Sequence, residues 1–170
     1  MSTVYFIGDL HLGHRNIAKY RQGFESPEQH DEFMKEQVRK CYGKRNTIWL
    51  LGDTIFHVAH ESFMEEMCEN FQHVHNVLGN HCTEIKMRED IQRRLYAKYD
   101  NFHLHGIVKK YDFWISHAPI HPDEMRSKLG NIQGHIHYKT LPDKRYLNVS
   151  AENINYQPMT LEQVRSYFNV

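Results

Sequence analysis

Cysteine is scarce, and the three present, Cys41, Cys68 and Cys82, show no CxxC spacing. An odd, unspaced set excludes a disulfide framework and a thiolate metal knuckle, and reads as reduced thiols of a cytoplasmic protein. Cys82 adjoins a motif described below and is taken as a bystander. Long apolar runs are missing too, none approaching the roughly 18 residues of a membrane span. The opening apolar segment is short, is interrupted by Asp9 and His11, and lacks the basic and hydrophobic regions of a signal peptide. No charge surplus exists, with 21 Lys and Arg against 21 Asp and Glu, so nothing grips long nucleic acid by counterion release. A nucleotide-sized substrate or a local basic patch stays compatible with that balance. There is no G-x-S-x-G elbow, no H-E-x-x-H helix, no G-x-x-x-x-G-K-[ST] loop and no G-x-G-x-x-G turn, which removes several enzyme classes. Without repeats, linkers or low-complexity stretches, residues 1–170 are expected to form a single domain with a real core.

What is abundant is histidine, 14 residues in a chain of 170. That number suits a metal or proton-transfer role. His30, His60, His73 and His103 sit in no motif and are expected on the surface. The others include members of an ordered series: Asp9-x-His11, Gly52-Asp53, Gly79-Asn80-His81, His117 and Gly134-His135-x-His137. Nearly every group closes a run that reads as a β-strand, such as Val4–Ile7, Ile48–Leu51, Val74–Leu78 and Phe113–Ile115. Strand ends are where an α/β sheet presents its functional loops. Each piece alone is weak, because period-2 spacing and Gly-Asp or Gly-Asn turns are common in ordinary strands. Gly134-His135-Ile136-His137 is stronger, since two imidazoles on one face of an extended segment can chelate. All five in series can hold two divalent ions about 3.5–4 Å apart and point to metal-assisted hydrolysis of a phosphate ester. Imidazole, carboxylate and amide oxygen without thiolate suit Mn, Fe, Zn, Co or Ni better than Ca.

The elements around these motifs follow from periodicity. A strand is predicted over 3–8, with a helix from near His14 through Ile17, Ala18 and Tyr20. Ser26-Pro27-Glu28-Gln29 is a capping box opening a helix that carries Phe33, Met34, Val38 and Cys41 and stops at Gly43. A strand over 47–52, a helix over 61–71, a strand over 74–78 and a charged helix over 84–98 with Ile85, Ile91, Leu95 and Tyr96 complete the first half. Short strands near 102–105, 107–110, 112–116, 131–135 and 145–150 fill the second, with one helical turn after Pro122. Thr160-Leu161-Glu162-Gln163 caps a final helix through Val164, Tyr167 and Phe168. A βαβαβ half followed by a hairpin-rich half predicts two packed mixed sheets with helices outside.

On these residues the chain resembles the calcineurin-like metallophosphoesterase superfamily, whose pattern is D-x-H, G-D, G-N-H, H and G-H-x-H in that order. The opening Gly8-Asp9-Leu10-His11-Leu12-Gly13-His14-Arg15-Asn16-Ile17 and the tail Asn148-Val149-Ser150 with Asn155-Tyr156-x-Pro158 are similar to the small stand-alone phosphoesterases of bacteria and phages. The resemblance implies an α/β fold (α+β by some schemes), a four-layer αββα sandwich of two mixed β-sheets flanked by helices. It implies two divalent transition-metal ions, Mn2+ first and Fe, Zn, Co or Ni as alternatives. Asp9, His11 and His137 would hold one ion and Asn80, His117 and His135 the other, with Asp53 bridging both. It makes His81 a catalytic residue rather than a ligand, contacting the substrate and protonating the leaving oxygen after attack by a metal-bridging hydroxide. His14 and Arg15 lie just past the first ligands, where charge or a helix start can meet a substrate phosphate; a solvated first turn explains them equally well. Lys86 and Arg88 are read as helix surface.

The departures narrow the expectation. Protein phosphatases of the superfamily continue the second motif with an acidic residue and Arg-Gly, whereas here it runs Gly52-Asp53-Thr54-Ile55-Phe56-His57. Asp9-Leu10-His11-Leu12-Gly13 is also similar to the superfamily's DNA-repair nucleases, which are longer and carry added DNA-binding parts. No inserted cap is evident. The expectation is hydrolysis of a small phosphodiester, with a nucleotide among the candidates. A phosphomonoesterase using the same site is the alternative, and a non-catalytic metal-binding interaction module is a further one, disfavoured because every ligand and His81 are kept.

Overall fold

Two-sided burial decides the first sheet. Phe6 and Ile7 are adjacent, point to opposite faces and are both fully buried, as are Trp49 and Leu50, the pattern of parallel strands covered on both sides. In the computed structural model, which describes residues 2–126 and 128–170, these residues lie on β1 (Val4–Ile7) and β2 (Gly43–Leu50). With β3 (Phe71–Val77) and β4 (Phe102–His105) they form a parallel set. The second sheet comprises β5 (Val108–Lys110), β6 (Phe113–Ile115), β7 (Asn131–Gln133) and β8 (Tyr146–Asn148) in that order, β5–β6 antiparallel and the rest parallel. A two-residue strand, β9 (Met159–Thr160), was not expected; it pairs antiparallel with β1 and makes the first sheet mixed as well, in the order β4-β3-β2-β1-β9.

Between the sheets Phe6, Trp49, Leu51 and Val77 pack against Phe113, Ile115, Ile132 and Leu147. On the other face of the first sheet Ile7, Ile48, Leu50 and Val74 meet α2 (Pro27–Arg39), α3 (Glu61–Asn70) and α4 (Lys86–Lys98) through Met34, Val38, Met64, Met67, Ile91 and Leu95. A short α1 (Ile17–Tyr20) precedes them. The outer face of the second sheet carries the single turn α5 (Pro122–Met125), whose Glu124 carbonyl accepts from the Trp114 indole at 2.8 Å. The last helix, α6 (Leu161–Tyr167), sends Val164 into the inter-sheet core. This is the α/β sandwich of two mixed sheets that the motifs implied. Among the described residues no helix is long and apolar enough to cross a membrane.

Caps set the helix starts. Thr160 and Gln163 form a complete capping box. At α2 the Ser26 side chain accepts from the Gln29 N–H, but Gln29 reaches back to the Glu25 N–H and not to Ser26. Several boundaries differ from expectation, α1 starting at Ile17 and not near His14 among them. β2 begins at Gly43, paired with Phe71 across a register shift that precedes Thr47, so the polar residues Lys44, Arg45 and Asn46 hid its start. β3 begins at Phe71, not at 74. α4 begins at Lys86, leaving Ile85 and later Tyr96 largely exposed, not on the apolar face.

The expectation that His30, His60, His73 and His103 are plain surface residues is corrected. His30 is fully buried and His60 is half-buried against Asp31, its Nε2 at 3.2 Å. His73 and His103 pair across β3 and β4 at 3.2 Å, and His75 and His105 pair at 2.9 Å. The His75 ring stacks on Trp49 with centroids 4.0 Å apart. Burial first, then the neighbouring imidazoles, push His75 down to about 3, so that ring packs as a neutral aromatic on Trp49.

Candidate active site

The parallel strands β1, β2, β3, β6 and β7 all deliver their C-terminal ends to one edge of the sandwich, and each end carries one motif. The two sheets are tied there by the Gly8 N–H donating to Val149 O and the Ala151 N–H donating to Gly8 O. Tight turns at the strand ends hold Asp9, His11, Asp53, His135 and His137 at φ values between +49° and +69°. Left-handed backbone in non-glycine residues is costly, and it concentrates where surrounding structure must aim a side chain. Two motif glycines answer to close approach. A Cβ on Gly134 would lie 2.5 Å from Asp9 Oδ2, and one on Gly52, itself at φ +87°, would run into His117 Nδ1.

Two side-chain groups result, each able to hold a metal ion: Asp9, His11 and His137, and Asp53, His117 and His135, the potential ligand atoms of each within 4.8 Å of one another. In the first, Asp9 Oδ2 accepts from the His135 N–H at 2.9 Å and from the Ser150 hydroxyl at 2.8 Å. Asp9 Oδ1 and His11 Nε2 are buried 3.6 Å apart without hydrogen-bond partners. Buried orphan atoms cost about 1–3 kcal/mol each unless a ligand satisfies them. In the second, the His117 Nδ1–H donates to the Leu51 carbonyl at 2.7 Å, which leaves Nε2 as the lone pair. Around that nitrogen stand Asn80 Oδ1 at 3.0 Å, His135 Nδ1 at 3.1 Å and Asp53 Oδ2 at 3.2 Å. Several acceptors turned toward one point call for a cation at that point.

The electrostatics agree. Burial opposes charge on Asp9, yet the His11 imidazole beside it and those of His117 and His137 carry it down to about 2. Burial opposes charge on His117, but Asp53 and Asp9 outweigh it and raise its pKa. The Glu152 hydrogen bond, against burial, raises that of His137. Both groups favour positive charge, and the donor set of imidazole, carboxylate and amide fits divalent transition metals.

A second set of residues holds the first, and most of it carries no local sequence signal. The His137 Nδ1–H donates to Glu152 Oε1 at 2.8 Å, which turns Nε2 toward Asp9. Glu152 Oε2 accepts from buried Arg21 at 2.9 Å. Arg21 also donates to the Asp9 carbonyl at 2.5 Å, to the Leu10 carbonyl at 3.3 Å and to His30 Nε2 at 2.8 Å. The His30 Nδ1–H in turn donates to Asp31 Oδ1 at 2.9 Å, and the Gly13 N–H to Asp31 Oδ2 at 2.8 Å. A buried chain of hydrogen bonds thus supports the Asp9–His11 turn from below. His30 and Asp31 had a signal: the helical spacing of Met34 and Val38 runs back to them.

His81 lies beside both groups without joining either. Its N–H donates to Asp53 Oδ1 at 3.0 Å, and its Nδ1 meets Glu84 Oε2 at 2.7 Å, so the ring carries a proton toward a carboxylate and keeps Nε2 free. Arg88 is not mere helix surface: it donates to the His81 carbonyl at 3.1 Å and to Glu84 at 3.2 Å while covering Phe56. Lys86 is exposed as expected and pairs with Asp90 at 2.9 Å. His14 stands 5.7 Å from the His11 ring and lines the same cavity as His81. Arg15 does not join it, and lines a separate cavity with Asp31 and His60. Cys82 is buried; burial, then the Asp53 charge, push its thiol up to about 11, and its sulfur accepts from the Gly79 N–H at 3.2 Å. That is the bystander role expected of it.

An uncharacterized protein of Methanocaldococcus jannaschii is 25% identical over 171 residues, covering 96% of this chain and 90% of its own length. The gene 66 protein of Mycobacterium phage L5 is 36% identical over 53 residues, 31% of this chain and only 26% of the phage protein. The crystal structure of a protein of unknown function from Aquifex aeolicus matches the fold with a TM-score of 0.69 at 20% identity, covering 98% of this chain and 99% of that one. The family model of the calcineurin-like phosphoesterases matches residues 2–165, a stretch that contains every motif residue at this sheet edge. The chain therefore belongs to the calcineurin-like phosphoesterase family, and the metal-dependent hydrolysis of phosphate esters that defines the family is its chemistry.

Proposed function

We propose that the protein is a dinuclear phosphodiesterase acting on a small phosphodiester, with nucleotides among the candidates. The observation that carries this reading is the convergence of two lone-pair groups, one with orphaned buried atoms, beside a histidine that neither group uses. Asp9, His11 and His137 would hold one ion and Asn80, His117 and His135 the other, with Asp53 as the bridge; Mn2+ is the expected metal, and Fe, Zn, Co or Ni suit the same donors. Such a pair, when bound, supplies Lewis acidity and lowers the pKa of water to near neutrality.

The chain's own residues do the rest. Asp9 and Asp53 keep negative charge under the site, and the Ser150 hydroxyl and the His135 N–H fix the Asp9 carboxylate. Glu152 and Leu51 O fix the rings of His137 and His117. His81, steadied by Glu84 at 2.7 Å, presents Nε2 to give a proton to the departing oxygen. His14 lies close enough to the same cavity to meet a substrate phosphate. The neutral overall charge supports a small substrate over long nucleic acid, and a cytoplasmic setting, argued from three unpaired cysteines, belongs to the same proposal.

The test is hydrolysis of bis-p-nitrophenyl phosphate against p-nitrophenyl phosphate by Mn2+-loaded protein. Metal-dependent turnover with the diester preferred is expected. Preference for the monoester would replace this reading with a phosphomonoesterase, and metal binding without any turnover would leave a non-catalytic module.

A further inference from the structure

The candidate metal centre lies between two cavities of different character. One, of about 820 Å³, is lined by Asn80, His117 and His135 together with Ile107, Trp114 and Ile120. The other, of about 520 Å³, is lined by His11, His81 and His137 together with Tyr20, Tyr138 and Lys139. His135 borders both. Ile107 is 61% exposed at the turn between β4 and β5 and lines the same cavity as Asn80 and His117. The Trp114 ring is fixed by its bond to the Glu124 carbonyl and by Lys109, 4.3 Å from its centroid. A phosphate monoester fills one cavity. A phosphodiester has two substituents, and two cavities meet at the site.

The position of His81 decides which substituent goes where. A general acid must come within hydrogen-bond reach of the oxygen that leaves, and His81 borders the more polar of the two cavities and not the more apolar one. We infer that the substrate is an asymmetric phosphodiester whose retained group is apolar or aromatic and occupies the Ile107–Trp114–Ile120 groove, while a polar alcohol departs through the Tyr20–Tyr138–Lys139 side. This rests on the phosphodiesterase reading and adds the class of each ester arm. In the reaction a water oxygen bonds to phosphorus and the P–O bond to the polar alcohol breaks with its electron pair on that oxygen. His81 supplies the proton there, and the proton released by the water restores His81. The product that stays is the phosphomonoester of the apolar alcohol.

Phenyl p-nitrophenyl phosphate and methyl p-nitrophenyl phosphate share a leaving group and differ only in the retained arm. With Mn2+-loaded protein, and with each rate divided by that of alkaline hydrolysis, kcat/KM should favour the phenyl ester by about tenfold or more, the selectivity that even one methylene can bring in an apolar pocket. Ile107→Ser should cut that ratio, and Tyr138→Ser should not. As a readout apart from turnover, phenyl phosphate should quench Trp114 fluorescence and bind about tenfold more tightly than methyl phosphate, with the quenching lost in Trp114→Phe. Equal kcat/KM and equal binding would overturn the groove while the phosphodiesterase reading stands. A ratio that falls in Tyr138→Ser and holds in Ile107→Ser would reverse the assignment and overturn it too. If neither diester turned over but phenyl phosphate still bound preferentially, the groove would stand and the phosphodiesterase reading would fall.

Discussion

Replacing Glu152 by Gln tests whether the buried chain below the site holds it in shape. Glu152 makes two contacts that depend on its charge, to His137 Nδ1 at 2.8 Å and to Arg21 at 2.9 Å. The Arg21 side chain is 2% exposed and that of Glu152 14%, so water cannot take over the Arg21 contact. Gln keeps the shape and one acceptor oxygen, and Arg21 keeps its bonds to the Asp9 and Leu10 carbonyls. The loss is therefore that of a charged hydrogen bond, about 1.5–3 kcal/mol, and not the full cost of stranding a buried ion. For a chain of this length that lowers Tm by about 3–12 °C in metal-free protein. His137 also loses the partner that turns its Nε2 inward, which should weaken metal binding by about 10–100-fold. Thermal unfolding by circular dichroism without metal, followed by calorimetric Mn2+ titration, reads the two effects separately. An unchanged Tm together with unchanged metal affinity would refute the reasoning, and a change in Tm alone would confine Glu152 to holding Arg21.

Three further outcomes follow from the same geometry. Burial opposes ionisation of Asp31, but bonds from His30, His60 and Gly13 hold its pKa down to about 2; a depressed folded value means stability of about 2 kcal/mol that is present above pH 4 and lost as pH falls toward 2. Urea unfolding of wild type and Asp31→Asn across pH 2–6 should show a gap that closes at the acid end, and a gap constant down to pH 2 would contradict it. His81→Ala should keep both metals and lose about 10²–10⁴-fold in turnover, with a smaller loss for a p-nitrophenyl ester than for an alkyl diester; equal losses would make His81 a positioning residue, and lost metal would make it a ligand. Gly134→Ala, whose Cβ would press on Asp9 Oδ2, should weaken metal binding more than it lowers Tm, and an unchanged affinity would show that the turn has room.

The motif residues were legible because they sit where apolar runs stop, and the strand ends that stop them also bring them together. Asp9, His11, Asp53, Asn80, His117, His135 and His137 needed only order and chemistry to be read. Their support was not legible. Arg21 and Glu152 are 131 residues apart, and nothing local marks either one. Arg88 looked like any charged helix residue, because a guanidinium can cover Phe56 and cap the His81 carbonyl while its helix keeps a polar pattern. β9 is two residues long, too short for any periodicity, and its Thr160 was visible only as the cap it also is. His73 and His103 were not legible as packed residues because imidazole is polar in composition yet packs as an aromatic, here on each other and on His75.

The central claim is that one edge of the sandwich holds a pair of metal ions shared through Asp53. Crystals of Mn2+-loaded protein, with anomalous scattering and metal analysis on the same preparation, test it most directly. The account predicts two ions per chain, one among Asp9, His11 and His137, the other among Asn80, His117 and His135, with Asp53 on both. A single ion, or two ions of which neither touches Asp53, would contradict it.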